Sequence, residues 1–181
     1  MPSGNYCNVP LPEHELVACG AWVFGGIPSL AILEQDQTEI TNFSSQVQWN
    51  AAIVANNAKL VKQLTAELPE ASPVEGTNPI GGGSENVTDA LDWTLTVEDY
   101  NVSAQNDDFY SALNSRQVNL AWYNSKEGNI QVVLQNVDVQ AFPIVPKSAG
   151  EKQRYSVTFK WRSNVDEFPT RVAAPAGIFT V

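Results

Sequence analysis

Apolar and polar residues alternate most regularly in the segment RYSVTFKWRS, residues 154–163. Alternation with a period of two places successive side chains on opposite faces of a β-strand, so this segment is predicted to be a strand with one buried face. The predicted buried residues are Tyr155, Val157, Phe159 and Trp161.

A β-hairpin is predicted over residues 117–135. Two alternating apolar runs flank the connection 125–128, where Gly128 supplies the positive φ that a tight turn requires. The strand pattern continues to Pro143, and residues 146–150 are predicted to form a loop.

Three earlier segments also have strand character. Residues 30–33 form a brief apolar run, and residues 93–97 combine aromatic and β-branched side chains. The segment AKLVKQLTAELP, residues 58–69, is predicted to be a strand, although its apolar spacing also fits a helix that ends at Pro69.

Two short helices are predicted between these strands. The first covers about three turns from Ser44 and Ser45, the candidate N-caps, to the asparagines at 56 and 57. The second covers residues 106–115, with Asn106 and Asp107 as the candidate caps. Apolar residues in both helices are expected to pack on a sheet.

Residues 69–85, PEASPVEGTNPIGGGSE, contain three prolines and four glycines and are predicted to form a long loop. Residues 1–25 are predicted to be an N-terminal arm or extension, and residues 26–181 a single β-rich domain. The predicted fold class is therefore mainly β with two short helices, as a β-sandwich or barrel-like single domain with long loops.

Composition excludes several classes of protein. A chain of 181 residues with 43% hydrophobic residues can bury one sizeable core and is not a disordered tail. The apolar stretch 21–33 is interrupted by glycine, proline and serine and is too short to span a membrane. Residues 1–15 have no basic end followed by an apolar core, so we expect synthesis in a cytoplasm, without a secretory signal.

The net charge of −10 is unevenly distributed, because residues 1–100 carry 13 acids and two bases, whereas residues 101–181 carry seven acids and eight bases. Such an acidic chain lacks the cationic surface that grips nucleic acid. Either the acids form a solvated face, or an acidic surface meets a basic surface of a neighbouring subunit. The candidate interface cations are Lys147, Lys152, Arg154, Lys160, Arg162 and Arg171.

No pattern for catalysis or cofactor binding is present. The single histidine, His14, rules out a multi-histidine metal site, and the GGGSE segment at 81–85 lacks the lysine of a phosphate-binding loop. Three pairs of adjacent acids lack calcium-loop spacing, and neighbours on a strand point to opposite faces. No metal, no cofactor and no enzymatic activity are therefore predicted.

Cysteines and tryptophans leave alternatives open. Cys7 and Cys19 are expected to be thiols in a reducing compartment, although a bridge between them is the alternative. The five tryptophans would suffice for a sugar-stacking platform, but four lie in apolar-patterned segments and are expected to pack in a core or interface.

The order of elements resembles tail tube proteins of tailed bacteriophages and related injection-system tubes. The residues that carry the resemblance are the helix before and through DFYSAL, the hairpin that follows, the strand ending near DEFPT and the Pro/Gly-rich segments between strands. It is a resemblance of architecture and size across residues 28–170.

The resemblance implies a β-sandwich subunit that assembles into hexameric rings, stacked into a hollow tube in a virion. By this resemblance, residues 65–85 would be an inter-ring loop, residues 106–115 a sheet-flanking helix and residues 117–135 part of the ring wall. Its partners would be other copies and other tail proteins, with DNA passing an acidic lumen without specific binding. The candidate lumen or solvent acids are Glu70, Glu75, Glu85 and Asp89.

Two other functions are compatible with the same residues. One is a different virion subunit, such as a head-decoration or connector protein, and the other is a carbohydrate-binding module or adhesin. Tube formation at high concentration distinguishes the first from a tail tube, and a monomer whose tryptophan fluorescence responds to sugar is expected of the second.

Overall fold

The computed structural model describes residue 13 and residues 26–80, 83–114, 116–148 and 150–179, with the backbone alone for 76–80 and 83–87. The predicted N-terminal arm, except Glu13, lies outside these residues. So do Cys7, His14, Cys19, Trp22 and the side chain of Glu85.

Within the described residues the chain forms eight strands and two helices. In chain order they are β1 (Ile27–Leu33), α1 (Gln46–Val54), β2 (Ala58–Glu67), β3 (Ser72–Ile80), β4 (Gly83–Asp99), α2 (Ala104–Leu113), β5 (Gln117–Asn124), β6 (Asn129–Ile144), β7 (Arg154–Asn164) and β8 (Thr170–Ala173).

Six of the strands close into an antiparallel barrel in the order β2–β1–β5–β6–β7–β4, because β4 also pairs with β2. β3 is attached outside the barrel to β4, and β8 is attached to β6. The predicted class, a mainly β, barrel-like single domain with two short helices, is confirmed.

Alternation along β7 shows how the sequence fills this barrel. Tyr155, Val157, Phe159 and Trp161 are all buried in the barrel core, as the period-two pattern predicted. The predicted hairpin is also confirmed, since β5 and β6 pair around a turn in which Gly128 has a φ of 66°. Residues 58–69 form a strand rather than the alternative helix, because β1 and β4 pair with β2 on both sides.

A second apolar layer covers the outside of β1, β2, β5 and β6. Trp49 and Ala52 of α1 and Phe179 near the C-terminus pack there, with the rings of Trp49 and Phe179 edge to face at 5.0 Å. The first predicted helix is therefore present, and Ser45 is its N-cap residue, although its side chain makes no capping hydrogen bond.

The second helix, α2, begins two residues earlier than predicted. Its N-cap is Ser103, whose Oγ accepts a hydrogen bond from the Asn106 amide at 3.2 Å. Asn106 and Asp107 are not caps, because their side chains bind elsewhere: Asn106 Nδ2 donates to the Asn101 carbonyl, and Asp107 accepts from Tyr155. Phe109, Tyr110 and Leu113 of α2 join the barrel core at one end.

The predicted long loop at 69–85 is wrong, because most of it is β-structure. β3 and the first part of β4 pair from Ser72 with Asp92 to Ile80 with Gly83. Proline cannot donate to a ladder, but β3 is an edge strand with one described neighbour, so Pro73 and Pro79 are tolerated. The composition was typical of a loop although the segment forms a hairpin.

Gln63 interrupts the regular conformation of β2. Its φ is 59°, and its Oε1 is buried without a hydrogen-bond partner among the described residues. A left-handed conformation costs a residue with a Cβ about 1–2 kcal/mol.

Replacing Gln63 with glycine is expected to raise the free energy of unfolding by about 1 kcal/mol, because it removes both the strain and the unpaired oxygen. Urea denaturation of Gln63→Gly measures the change. Thr65→Gly, on the same strand, is the control and is expected to be destabilised, and equal destabilisation of the two variants would contradict the assignment of strain.

Candidate functional site

A two-stranded ribbon extends from one end of the barrel. The ladder between β4 and β7 begins at Ala90, whereas β3 and β4 continue to pair beyond it to Ile80 and Gly83. Among the described residues no strand pairs with the outer edge of β3, or with the second edge of β4 over residues 83–89. Strand edges of this kind are surfaces to which another chain can add a strand.

The charge of this ribbon is negative. Residues 69–92 contain no lysine or arginine. The side chains of Glu70, Glu75 and Asp89 are exposed. These are three of the four acids singled out from the sequence, and the backbone of the fourth, Glu85, lies in β4.

The candidate interface cations are not gathered in one patch. Lys147 and Lys152 lie in the connection between β6 and β7, whereas Arg154, Lys160 and Arg162 lie on β7 and Arg171 on β8. The side chains of Lys147, Lys152 and Lys160 are exposed.

The three arginines of that set form ion pairs within the chain. Arg162 binds Asp92 through two hydrogen bonds of 2.7 and 3.0 Å, and the pKa of Asp92 is held below its usual value by this guanidinium. Arg154 Nε lies 3.0 Å from Glu98 Oε1, and Arg171 pairs with Glu127. Lys147 and Lys160 have no ion-pair partner among the described residues, so they are the better candidates for contacts with another subunit.

An apolar patch remains on α1. Val47 and Val54 are 78% and 83% exposed and lie seven residues apart, on the side of the helix away from the sheet. A helix that is apolar on both its inner and outer faces is typical of one that a further surface covers.

The end of the barrel that α2 covers holds a buried polar network. The Asp99 side chain is fully buried and accepts hydrogen bonds from Asn101 and, at 2.7 Å, from the Tyr110 hydroxyl. The Tyr155 hydroxyl donates to Asp107 at 2.7 Å. Burial, reinforced by these carboxylates, raises the pKa of both tyrosines. The network ties α2 to β4 and β7.

Glu13, which precedes the barrel in the sequence, also contacts this end. The buried Lys59 ammonium pairs with Glu13, and Gln105 Nε2 of α2 donates to the Glu13 carbonyl at 2.8 Å. The Glu13 carboxylate compensates the charge of Lys59, which also donates to Asn56 Oδ1 at 2.9 Å.

Three of the tryptophans, Trp93, Trp122 and Trp161, fill the other end of the barrel. One face of the Trp161 ring stacks on Trp93, with an interplanar angle of 5° at 6.0 Å, and Trp122 contacts it at 5.8 Å. Trp49, Trp122 and Trp161 are buried, which confirms the predicted packing role for these three. They therefore do not form an exposed platform for sugars.

Beside Trp161 the barrel wall opens into a cleft of about 570 Å³. β6 and β7 pair only as far as Asp138 with Lys160, and β8 then pairs with β6 at Val132. Between the pairs Val118–Val137 and Leu120–Val133, β6 has three residues where β5 has one. This bulge bends β6 away from β7. The cleft lies in this gap, below the connection from β7 to β8.

Sequence reasoning missed this cleft, because its walls come from three separate segments. Among the lining residues are Leu134, Gln135, Trp161, Asn164, Glu167 and Phe168. Phe168 is 67% exposed and packs edge to face on Trp93 at 6.1 Å. The one signal in the sequence is Phe168, an aromatic residue in the polar turn DEFPT. In the sequence that turn indicated only the end of a strand.

Two kinds of feature are absent from the part of the chain that the structure describes. No cluster of three or more histidine, cysteine or acidic side chains is placed to hold a metal ion. No helix there has the length and apolar character needed to cross a membrane.

No protein-family model matches the chain, and no curated protein has a similar sequence.

Proposed function

We propose that the protein is a structural subunit of a virion, similar to a tail tube protein, that assembles into stacked rings forming a conduit for DNA. The observation that carries the proposal is the ribbon formed by β3 and β4, whose two backbone edges lie outside the barrel without a described partner. Edges of this kind pair readily with a second chain.

Charge and apolar exposure support the same proposal. The ribbon carries exposed acids, whereas Lys147 and Lys160, in the C-terminal half of the sequence, are exposed cations. Charge complementarity of this kind guides one copy onto another. Val47 and Val54 on α1 supply an apolar surface for such a contact.

In this proposal the contacts between copies are head to tail, and their rotation closes a ring, a hexamer by the resemblance to tail tubes. Other tail proteins would contact the ends of the stack. An acidic surface toward the lumen would let DNA pass without retention, because like charges repel. No chemical reaction is involved.

The first experiment is negative-stain electron microscopy with light scattering, from dilute to concentrated protein. Hollow tubes or six-fold rings are the expected result. Closed rings or clusters that never stack would favour a head-decoration or connector subunit instead. A monomer at every concentration would refute assembly.

Reversing the charge of Lys147 and Lys160 together is expected to raise the concentration required for assembly about tenfold at low salt, because the acids of a neighbouring ribbon would then face like charges. Sedimentation measures the change. The control is Lys126→Glu, which alters an exposed lysine in the turn between β5 and β6. If K147E/K160E assembled like the control, the charge contact would be wrong.

A further inference from the structure

The cleft between β6 and β7 has the dimensions of a ligand site. Its volume of about 570 Å³ lies within the range of ~300–1,000 Å³ that is typical of small-molecule sites. It is open to solvent and is bordered by different elements, since β6 and β7 meet at Asp138 and Lys160 and the β7–β8 connection lines another side.

The connection that borders the cleft has a defined turn. The Glu167 amide donates to the Asn164 carbonyl at 3.1 Å, and the Asn164 amide contacts Glu167 Oε2 at 3.4 Å. The contact of Phe168 with Trp93 then fixes an aromatic ring that is exposed to solvent. The cleft therefore has one apolar surface held in place by the core.

The charges around the cleft disfavour several ligand classes. The Arg162 guanidinium is already bound through two hydrogen bonds to Asp92, and Glu167 adds negative charge, so phosphates and other anions are disfavoured. A wholly apolar ligand would desolvate the amide of Gln135 and the side chains of Asn164 and Glu167 without offering them hydrogen bonds.

We propose that the cleft binds one saccharide unit of a neutral glycan. The apolar face of the pyranose ring packs on Phe168, and its hydroxyls bind the side chains of Gln135, Asn164 and Glu167. Amide and carboxylate groups both accept hydrogen bonds from hydroxyls, and the amides also donate to them. This site differs from a platform of tryptophans, because both Trp161 and Trp122 are buried.

Lys160, one of the two proposed assembly cations, pairs with Asp138 in the β-ladder at the border of the cleft, but glycan binding does not depend on assembly. A structural subunit with this site would attach to glycans through the outside of its barrel, and a monomer would bind them equally well.

The test is titration of the full chain with oligosaccharides of glucose, mannose, galactose and N-acetylglucosamine, followed by saturation-transfer NMR and tryptophan fluorescence. At least one series is expected to bind, and to alter the fluorescence of Trp93 through Phe168. Phe168→Ala is expected to weaken that binding about tenfold, because one aromatic contact is lost.

Phe142→Ala is the matched control, because Phe142 is also exposed, at 60%, and does not line the cleft. Gln135→Leu keeps the side-chain size and removes the amide, so it is also expected to weaken binding. If no series bound, or if F168A bound like F142A, the proposal would be overturned. Loss of assembly in F168A with unchanged glycan binding would also overturn it, since the cleft would then be a subunit contact.

Discussion

Replacing Asp99 with alanine is expected to lower the free energy of unfolding by about 3–5 kcal/mol. The carboxylate is fully buried and accepts hydrogen bonds from the Asn101 backbone at 2.9 Å, from Asn101 Nδ2 at 2.7 Å and from the Tyr110 hydroxyl. Without it these donors lose a buried charged acceptor, at a cost of about 1–3 kcal/mol each. Chemical denaturation of D99A measures the loss.

Two variants make this result specific. Asp99→Asn keeps an acceptor of the same size and is expected to lose less stability than Asp99→Ala. Asp89→Ala removes an exposed carboxylate from the same strand and is expected to stay within about 0.5 kcal/mol of the original protein. If D99A were no less stable than D89A, the network would not hold α2 on the barrel.

Alkaline pH is expected to destabilise the fold through Tyr110 and Tyr155. Burial is the largest cause of the raised pKa of both hydroxyls, followed by the charge of Asp99 for Tyr110 and the hydrogen bond to Asp107 for Tyr155. In the unfolded chain tyrosine ionises near pH ~10, whereas these two keep their protons in the fold. The unfolded state therefore binds fewer protons, and stability falls as pH rises above about 10.

Above pH about 10 each tyrosine lowers the free energy of unfolding by about 1.4 kcal/mol per pH unit, and below that pH it has no such effect. Urea denaturation between pH ~9 and pH ~11 measures the slope. Tyr155→Phe is expected to remove about half of it, because phenylalanine does not titrate. A slope unchanged in Y155F would contradict the assignment.

Alternation was a reliable guide where one face of a strand is buried. β7 and the hairpin of β5 and β6 could be predicted because each has apolar residues at every second position and one face in the barrel. The ambiguity of residues 58–69 could not be resolved locally, since Gln63 with its positive φ disturbs the alternation and pairing with β1 and β4 decides the outcome.

Composition misled the prediction in the ribbon. Prolines and glycines are typical of loops, but an edge strand accepts proline, so the prolines of β3 are compatible with the hairpin. The cleft could not be predicted for a different reason. Gln135, Asn164 and Phe168 come together only because β6 bends away from β7, and that bend depends on the register with β5.

The continuity of β4 has a mechanical consequence. The strand runs without a break from the ribbon into the barrel, where Ala90 to Asp99 pair with Asn164 to Tyr155 of β7. Hydrogen bonds in an antiparallel ladder are perpendicular to the strands. A pull along the ribbon therefore loads this ladder in shear, with all its bonds sharing the force, instead of peeling them apart one after another. The force that the ribbon can resist along its axis is therefore set by the β4–β7 ladder in the barrel wall.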